Sequence, residues 1–328
     1  MDKIEKRKLA TILIIIFSIT TITWFHMGDT SESDQEIFVL YENYSNGKSY
    51  VSRFLENKET RFSMVISNID NMYGNEDSLI LTSKRNKTYL ELLKDETINT
   101  VRTYGIGVFY YRSFDGMEVF LFRDDDDTYQ LQLGNFRKEV ELYFVSDMSF
   151  NGTKIVLQGL DNDFNTVVIT LDLTGTILNK VVLDSKYISK GSVSSDSKIY
   201  LITNEKVYKL MDGKEVAQST TICFNENMNF FIHESNEIVF TIECGRYVIY
   251  RNKDTLDVDR VFDLQSKTIE SPMNILDFYV SNEVLYVLYE QEQKFFILAN
   301  NLVNGETVFK RNIAVFENGT FPKKIYVR

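Results

Sequence analysis

Short apolar runs alternate with polar turns along most of the chain. In the segment SVSSDSKIYLITNEKVYKLMDGKEV at residues 192–216, two β-rich runs at 198–202 and 206–210 flank Thr203-Asn204-Glu205. Asp212-Gly213 follows the second run. Val, Ile and Tyr favour strands, and Asp-Gly favours a tight hairpin turn. We therefore predict a strand–turn–strand–turn–strand unit in this segment.

The same unit recurs along the chain. Each copy contains one predicted hairpin, and a short polar turn precedes all but the first. The hairpins pair residues 37–40 with 49–54, 78–82 with 88–92, 117–122 with 128–133, 154–158 with 167–171, 198–202 with 206–210, 237–242 with 246–250, and 283–289 with 294–299. Their starts lie about 41 residues apart on average, which is the period typical of four-stranded propeller blades.

Two of the repeats share a turn sequence. The segments SFNGTKIVL at 149–157 and SSDSKIYLI at 194–202 resemble the S-x-D-G-x-K-I-x-x turn of bacterial propeller repeats of the TolB-like and WD40-like type. The resemblance covers the repeats from residue 37 to the C-terminus and implies a propeller fold. The predicted fold class is therefore all-β, with a seven-bladed β-propeller over residues 37–328.

The two ends of the repeat region predict how the ring closes. Ile37 begins a second-strand element directly after a polar segment, so the first blade lacks its inner strand. The last residues, KIYVR, form a lone strand after the seventh unit. Because a closed ring leaves no open edge at its seam, we predict that residues 324–327 pair beside residues 37–40. A two-sheet sandwich is the competing fold, but seven units of this length suit it poorly.

A basic tail and an apolar run precede the repeats. Residues 1–8 contain four Lys or Arg residues, and the run LATILIIIFSITTITWF that follows carries no charge. We predict a transmembrane signal-anchor helix at residues 9–27 with its N-terminus in the cytoplasm, then a polar tether at 28–36 and an extracytoplasmic propeller at the cell membrane. A cleaved signal peptide is the alternative, but His26 and Met27 interrupt a small-residue cleavage site.

The chain is acidic, with a formal net charge of −11 and a pI of about 4.9. Nucleic-acid binding needs a basic stripe, and the sequence has none.

Carboxylates instead gather at the predicted turns between second and third strands, which share one face of a propeller. These turns contain Asp124, Asp125, Asp126 and Asp127, residues 160–165, Asn204 and Glu205, residues 243–245, and Glu290 and Glu292, while blade two contributes Lys84, Arg85 and Lys87. A face that binds a cation or a basic partner is one interpretation, and a set of solvated hairpin tips is the favoured one.

One of these turns resembles the start of a calcium-binding loop. Asp161, Asp163 and Asn165 alternate as the first ligands of such a loop do. The sixth position, however, is Thr166 rather than the Gly that the loop needs, and residues 167–171 read as a strand. A plain turn is therefore favoured over a Ca²⁺ site, and no other cofactor is expected.

Cys223 and Cys244 are the only cysteines. Both fall at predicted connections on the same face, and an oxidising compartment would permit a disulfide between them. Two buried free thiols fit the sequence equally well. The pair is not a C-x-x-C motif, and with two histidines in the chain no zinc site is indicated.

No catalytic motif is present, since neither histidine has a nucleophile–base setting. We expect a membrane-anchored extracytoplasmic propeller that binds or scaffolds a protein or cell-envelope ligand. One alternative is an extracytoplasmic hydrolase or lyase with its site in the central funnel, and another is a companion subunit of a membrane complex. Carboxylates, His or Tyr that converge on the axis around a pocket would favour the enzyme, whereas a flat or plugged axis with an acidic rim would favour the binding module.

Overall fold

The computed structural model describes residues 35–55, 58–75, 77–103, 105–185, 190–194, 196–222, 231–234, 238–244, 246–264, 273–315 and 319–328. The predicted cytoplasmic tail, the predicted transmembrane segment at 9–27 and most of the predicted tether lie outside these ranges. Within them, no helix has the length and apolar character needed to span a bilayer.

The described residues form 28 strands in seven four-stranded antiparallel sheets, each of which is one propeller blade. In chain order the strands are β1 Ile37–Asn43, β2 Lys48–Leu55, β3 Lys58–Ser67, β4 Asn71–Gly74, β5 Ser78–Thr82, β6 Thr88–Leu93, β7 Ile98–Arg102, β8 Gly107–Phe114, β9 Met117–Arg123, β10 Tyr129–Leu133, β11 Phe136–Val140, β12 Phe144–Phe150, β13 Lys154–Leu160, β14 Thr166–Asp172, β15 Ile177–Val182, β16 Lys190–Val193, β17 Ile199–Ile202, β18 Lys206–Met211, β19 Lys214–Thr220, β20 Phe231–Glu234, β21 Ile238–Glu243, β22 Tyr247–Asn252, β23 Val258–Asp263, β24 Asn274–Ser281, β25 Val284–Gln291, β26 Lys294–Asn301, β27 Thr307–Ile313 and β28 Thr320–Val327. Blade 1 is β28-β1-β2-β3 from the axis outwards, and blades 2 to 7 each take four consecutive strands. The all-β, seven-bladed prediction is confirmed.

The ring closes through the first and last strands. β28 pairs antiparallel with β1, so that Val39 faces Ile325 and Ile37 faces Val327. Glu36 and Arg328 extend this ladder through two backbone hydrogen bonds of 2.9 and 3.0 Å. The predicted pairing of residues 324–327 with 37–40 is therefore confirmed, and the sandwich alternative is wrong.

The core lies between neighbouring blades rather than within one sheet pair. Six apolar clusters each join two successive blades, and aromatic pairs such as Tyr89–Phe120 join blades 2 and 3. Second and third strands are buried on both sides, as in β13 and β14, whereas the outermost β15 is half exposed. Strands covered on both sides read as continuous apolar runs, which is why the sequence predicted these hairpins well.

Antiparallel pairing gives the propeller two different faces. The turns between second and third strands lie on one face together with the blade-to-blade connections, and we call it the connecting face. The other turns lie on the opposite face, where β1 begins and β28 ends. Glu36 is fixed on that opposite face by ion pairs with Arg53, at 3.0 Å, and with Arg328.

Closure should be sensitive to the buried side chains of β28. Ile325 is buried in the cluster that joins blades 7 and 1, so Ile325→Ala should lower the free energy of unfolding by about 2–5 kcal/mol. Ile177→Ala, the same substitution at a half-exposed position of β15, should change it by about 1 kcal/mol or less. Urea unfolding followed by circular dichroism measures both values, and equal losses at the two positions would contradict the closure argument.

Candidate functional site

The seven innermost strands line a cavity on the propeller axis. Its volume is about 460 Å³, and every blade contributes at least one residue to its wall. The wall contains three cations, Arg112, Lys190 and Lys324, two carboxylates, Asp147 and Asp277, and the rings of Tyr73, Tyr110, Tyr111, Phe278, Tyr279 and Tyr326. This cavity is the strongest candidate site in the described part of the chain.

Bulges in the inner strands place several of these side chains at the cavity. The pairing register shifts between Val108 and Tyr110, between Val145 and Asp147, and between Ile275 and Asp277. A corresponding shift in blade 1 leaves Lys323 as the extra residue of β28. Because a bulge breaks the strict in–out alternation of a strand, it re-aims the residues that follow it. Tyr110, Asp147, Asp277 and Lys324 each follow such a bulge, and all four line the cavity.

The carboxylate of Asp147 links three blades. It lies 3.2 Å from the guanidinium of Arg112 in blade 3. It also accepts hydrogen bonds from the backbone N–H of Met148, at 2.8 Å, and from that of Gly191 in blade 5, at 3.2 Å. Charged hydrogen bonds of this kind are stronger than neutral ones, so Asp147 is held in one orientation.

Asp277 repeats this arrangement between blades 7 and 1. Its carboxylate accepts from the ammonium of Lys324 at 3.1 Å and from the backbone N–H of Ile325 at 3.0 Å. Both carboxylates of the cavity therefore already have a cation and at least one backbone donor as partners.

The tyrosines of the cavity are neutral hydrogen-bond donors and aromatic walls. Burial raises the pKa of Tyr73, Tyr110 and Tyr279 well above the ordinary tyrosine value. The Tyr73 hydroxyl donates to the Phe109 carbonyl at 3.2 Å, and the Tyr279 and Tyr326 rings meet edge to face at 4.8 Å. Gly74 is required beside them, because a Cβ at that position would lie 1.8 Å from the Tyr326 hydroxyl.

Lys190 differs from the other two cations of the wall. Its ammonium group forms no hydrogen bond or ion pair with any residue that the structure describes. Water reaches the side chain along the cavity, but the surrounding protein lowers its pKa by desolvation, and the charge of Lys324 adds to this effect. Asp147 and Asp277 oppose the shift without contacting the group.

The predicted acidic turns lie on the connecting face, and their carboxylates act as turn caps or pair with cations. Asp124 accepts a hydrogen bond from the Thr128 hydroxyl at 2.7 Å, and this bond is the main cause of its lowered pKa. The backbone N–H groups of Asp126 and Thr128, at 3.1 and 3.0 Å, add to the effect. Asp125 contacts Lys87 of the neighbouring blade at 2.7 Å, and Asp127 contacts Arg123 at 3.0 Å.

The acidic turn of blade 7 is partly engaged in the same way. Glu290 accepts from the Asn274 side chain at 3.3 Å, while Glu292 is exposed at the tip of the β25–β26 turn with a left-handed φ of 53°. Of the cations predicted in blade two, Lys87 pairs with Asp125 and so neutralises part of the acidic turn of blade 3.

The suspected calcium loop is a hairpin turn capped by its own first residue. One oxygen of Asp161 accepts from the backbone N–H groups of Asp163 and Asn165 at 3.0 and 2.9 Å, and Phe164 takes the left-handed conformation with φ 60°. These bonds lower the pKa of Asp161. Among the described residues, no group of three or more His, Cys, Asp or Glu side chains is arranged to hold a metal ion.

The predicted disulfide falls partly outside the described residues. Cys244 is disulfide-bonded and lies in the β21–β22 turn with a left-handed φ of 54°. Cys223, its predicted partner, lies outside the described residues, so the pairing stays a prediction.

Glu243, expected at an exposed acidic tip, is instead completely buried. Its carboxylate lies 2.7 Å from the equally buried guanidinium of Arg251 and accepts from the backbone N–H of Ile222 at 2.5 Å. Arg251 also donates to Ser219 and to the Thr220 carbonyl, at 3.0 and 3.2 Å. The ion pair therefore ties the outermost strand of blade 5 to blade 6.

Removing one member of this pair should be costly. Arg251→Met leaves the Glu243 carboxylate buried without its cation, and we expect a loss of about 3–5 kcal/mol in the free energy of unfolding. The double variant Glu243→Gln/Arg251→Met should lose less, because no buried charge remains. Arg246→Met is the control, since Arg246 pairs with Asp263 at the surface and surface pairs contribute about 0–1 kcal/mol. An Arg251→Met variant as stable as Arg246→Met would contradict this account.

Comparison with known proteins identifies the fold alone. No sequence family matches the chain, and none of the curated proteins matches it significantly. Sqt1 from Saccharomyces cerevisiae is similar in structure, with a TM-score of 0.57 at 10% identity over 87% of this chain and 88% of that chain. This likeness shows a β-propeller fold, in agreement with the seven four-stranded blades of this chain. AztD from Citrobacter koseri, in its apo form, matches with a TM-score of 0.51 at 8% identity over 88% of each chain.

Proposed function

We propose that this propeller is a binding or scaffolding module, held outside the cell membrane by an N-terminal anchor, whose ligand is a protein or a cell-envelope polymer. One observation carries the proposal: the chain enters the propeller on the opposite face, where Glu36 pairs with Arg328. An anchor that precedes residue 35 would therefore attach at the opposite face and leave the connecting face unobstructed by the attachment.

The connecting face offers a charged but adaptable surface. The side chains of Asp125 and Asp127 remain 73% and 69% exposed although each contacts a cation. Exposed ion pairs of this kind are weak, so a partner with its own charges can exchange with them at little cost.

Photo-crosslinking tests the proposed docking face. A photoreactive amino acid at position 126 or 292 should give covalent adducts in intact cells, because both positions are exposed at turns of the connecting face. The same residue at position 139, exposed on the outer strand β11, is the control and should give fewer adducts. Adducts that form only from position 139, or equally from all three positions, would contradict docking on the connecting face.

An extracytoplasmic hydrolase or lyase is the second candidate, because carboxylates and tyrosines do converge on the axis around a cavity. Against it, both carboxylates are held by cations and backbone donors, and the tyrosines with raised pKa values are poor bases.

Asp147→Asn tests the enzyme proposal. If the protein cleaves any member of a panel of ester and glycan substrates, this variant should lower the turnover at least about 100-fold, the usual size of a general acid–base contribution. Turnover that is unchanged in Asp147→Asn, or no turnover by the wild type, would remove the central cavity as an acid–base site.

A further inference from the structure

Among the residues that the structure describes, the wall of the central cavity carries one positive charge in excess. Arg112 and Lys324 each have a carboxylate partner, at 3.2 and 3.1 Å, and Lys190 has none among the described residues. The tyrosines do not compensate, since burial keeps them protonated. The cavity is therefore complementary to a single negative charge.

The two carboxylates cannot turn to satisfy Lys190. Asp147 is held by Arg112 and by two backbone N–H groups, one of them from Gly191, the residue next to Lys190. Asp277 is held by Lys324 and by the N–H of Ile325. The ammonium of Lys190 therefore stands at the water-filled cavity without a paired carboxylate, and partial desolvation by the surrounding wall lowers its pKa.

Size and wall chemistry restrict the anion. A volume of about 460 Å³ falls within the range of small-molecule sites and exceeds the needs of a simple inorganic ion. Beside the charged groups, the wall consists of tyrosine rings with Met72, Ile232 and Phe278, which suit an organic body. A phosphate dianion would overcompensate the single excess charge, whereas a carboxylate would match it.

We propose that the central cavity binds a small organic monocarboxylate, whose carboxylate pairs with Lys190 and whose body packs against the tyrosine-lined wall. The site is separate from the docking proposed for the connecting face and stands without it. Both an aromatic acid and an acidic sugar supply such a carboxylate, and both pack against tyrosine rings.

Calorimetric titration of the full-length protein in detergent with benzoate and with glucuronate distinguishes these two sources. At least one of the acids should bind saturably, and benzamide, the neutral analogue of benzoate, should bind at least about tenfold more weakly than benzoate if benzoate is bound. Lys190→Met should weaken binding of the acid at least about tenfold, and Lys190→Arg should keep it within about threefold because the charge is retained. Lys58→Met, at an exposed lysine of β3, is the matched control and should leave binding unchanged.

A second measurement applies to the wild-type protein and so does not depend on folding of the variants. Acetylation of Lys190 by acetic anhydride, followed by mass spectrometry, should slow at least about tenfold when the acid is present at ten times its Kd or more. Labelling of Lys58 should not change. The proposal is overturned if neither acid binds saturably, if Lys190→Met binds as tightly as the wild type, or if the bound acid leaves Lys190 labelling unchanged.

Discussion

The antiparallel ladder between β1 and β28 is the constraint on which the rest of the structure depends. Every other blade takes four consecutive strands, but blade 1 is assembled from both ends of the propeller sequence. Without β28, the cluster that joins blades 7 and 1 would lose Ile325 and Val327, and the axis would lose Lys324 and Tyr326. Closure of the ring and formation of the central cavity are therefore one event.

Charge around the axis is arranged between blades rather than within them. Asp147 of blade 4 joins Arg112 of blade 3 and the backbone of blade 5, and Asp277 of blade 7 joins Lys324 of blade 1. The buried Glu243–Arg251 pair has a similar role between blades 5 and 6, farther from the axis. Apolar packing between blades is not directional, so these polar links help to fix how one blade sits against the next.

The sequence predicted the ring and its closure because these follow from patterns that are local and repeated. Second and third strands are buried on both sides, so runs such as 154–158 and 198–202 stand out between polar turns. The axial residues gave no such signal. Asp147 and Asp277 acquire their position from bulges, which alternation cannot reveal, and from partners in other blades.

The burial of Glu243 could not be predicted for a related reason, because its cation, Arg251, lies on the next strand and is itself buried. The carboxylates of Asp124 and Asp161 were visible in the sequence, but their role as turn caps depends on the left-handed residue near the end of each turn.

The composite blade also has a consequence for synthesis in the cell. β1 is among the first propeller strands to leave the ribosome, and its partner β28 is the last. Until then β1 has a free edge lined by Val39, Leu40 and Tyr41, all of which are completely buried in the finished ring. Exposed edges of this kind invite pairing with other chains, so the unpaired edge of β1 is an aggregation hazard until β28 completes the blade.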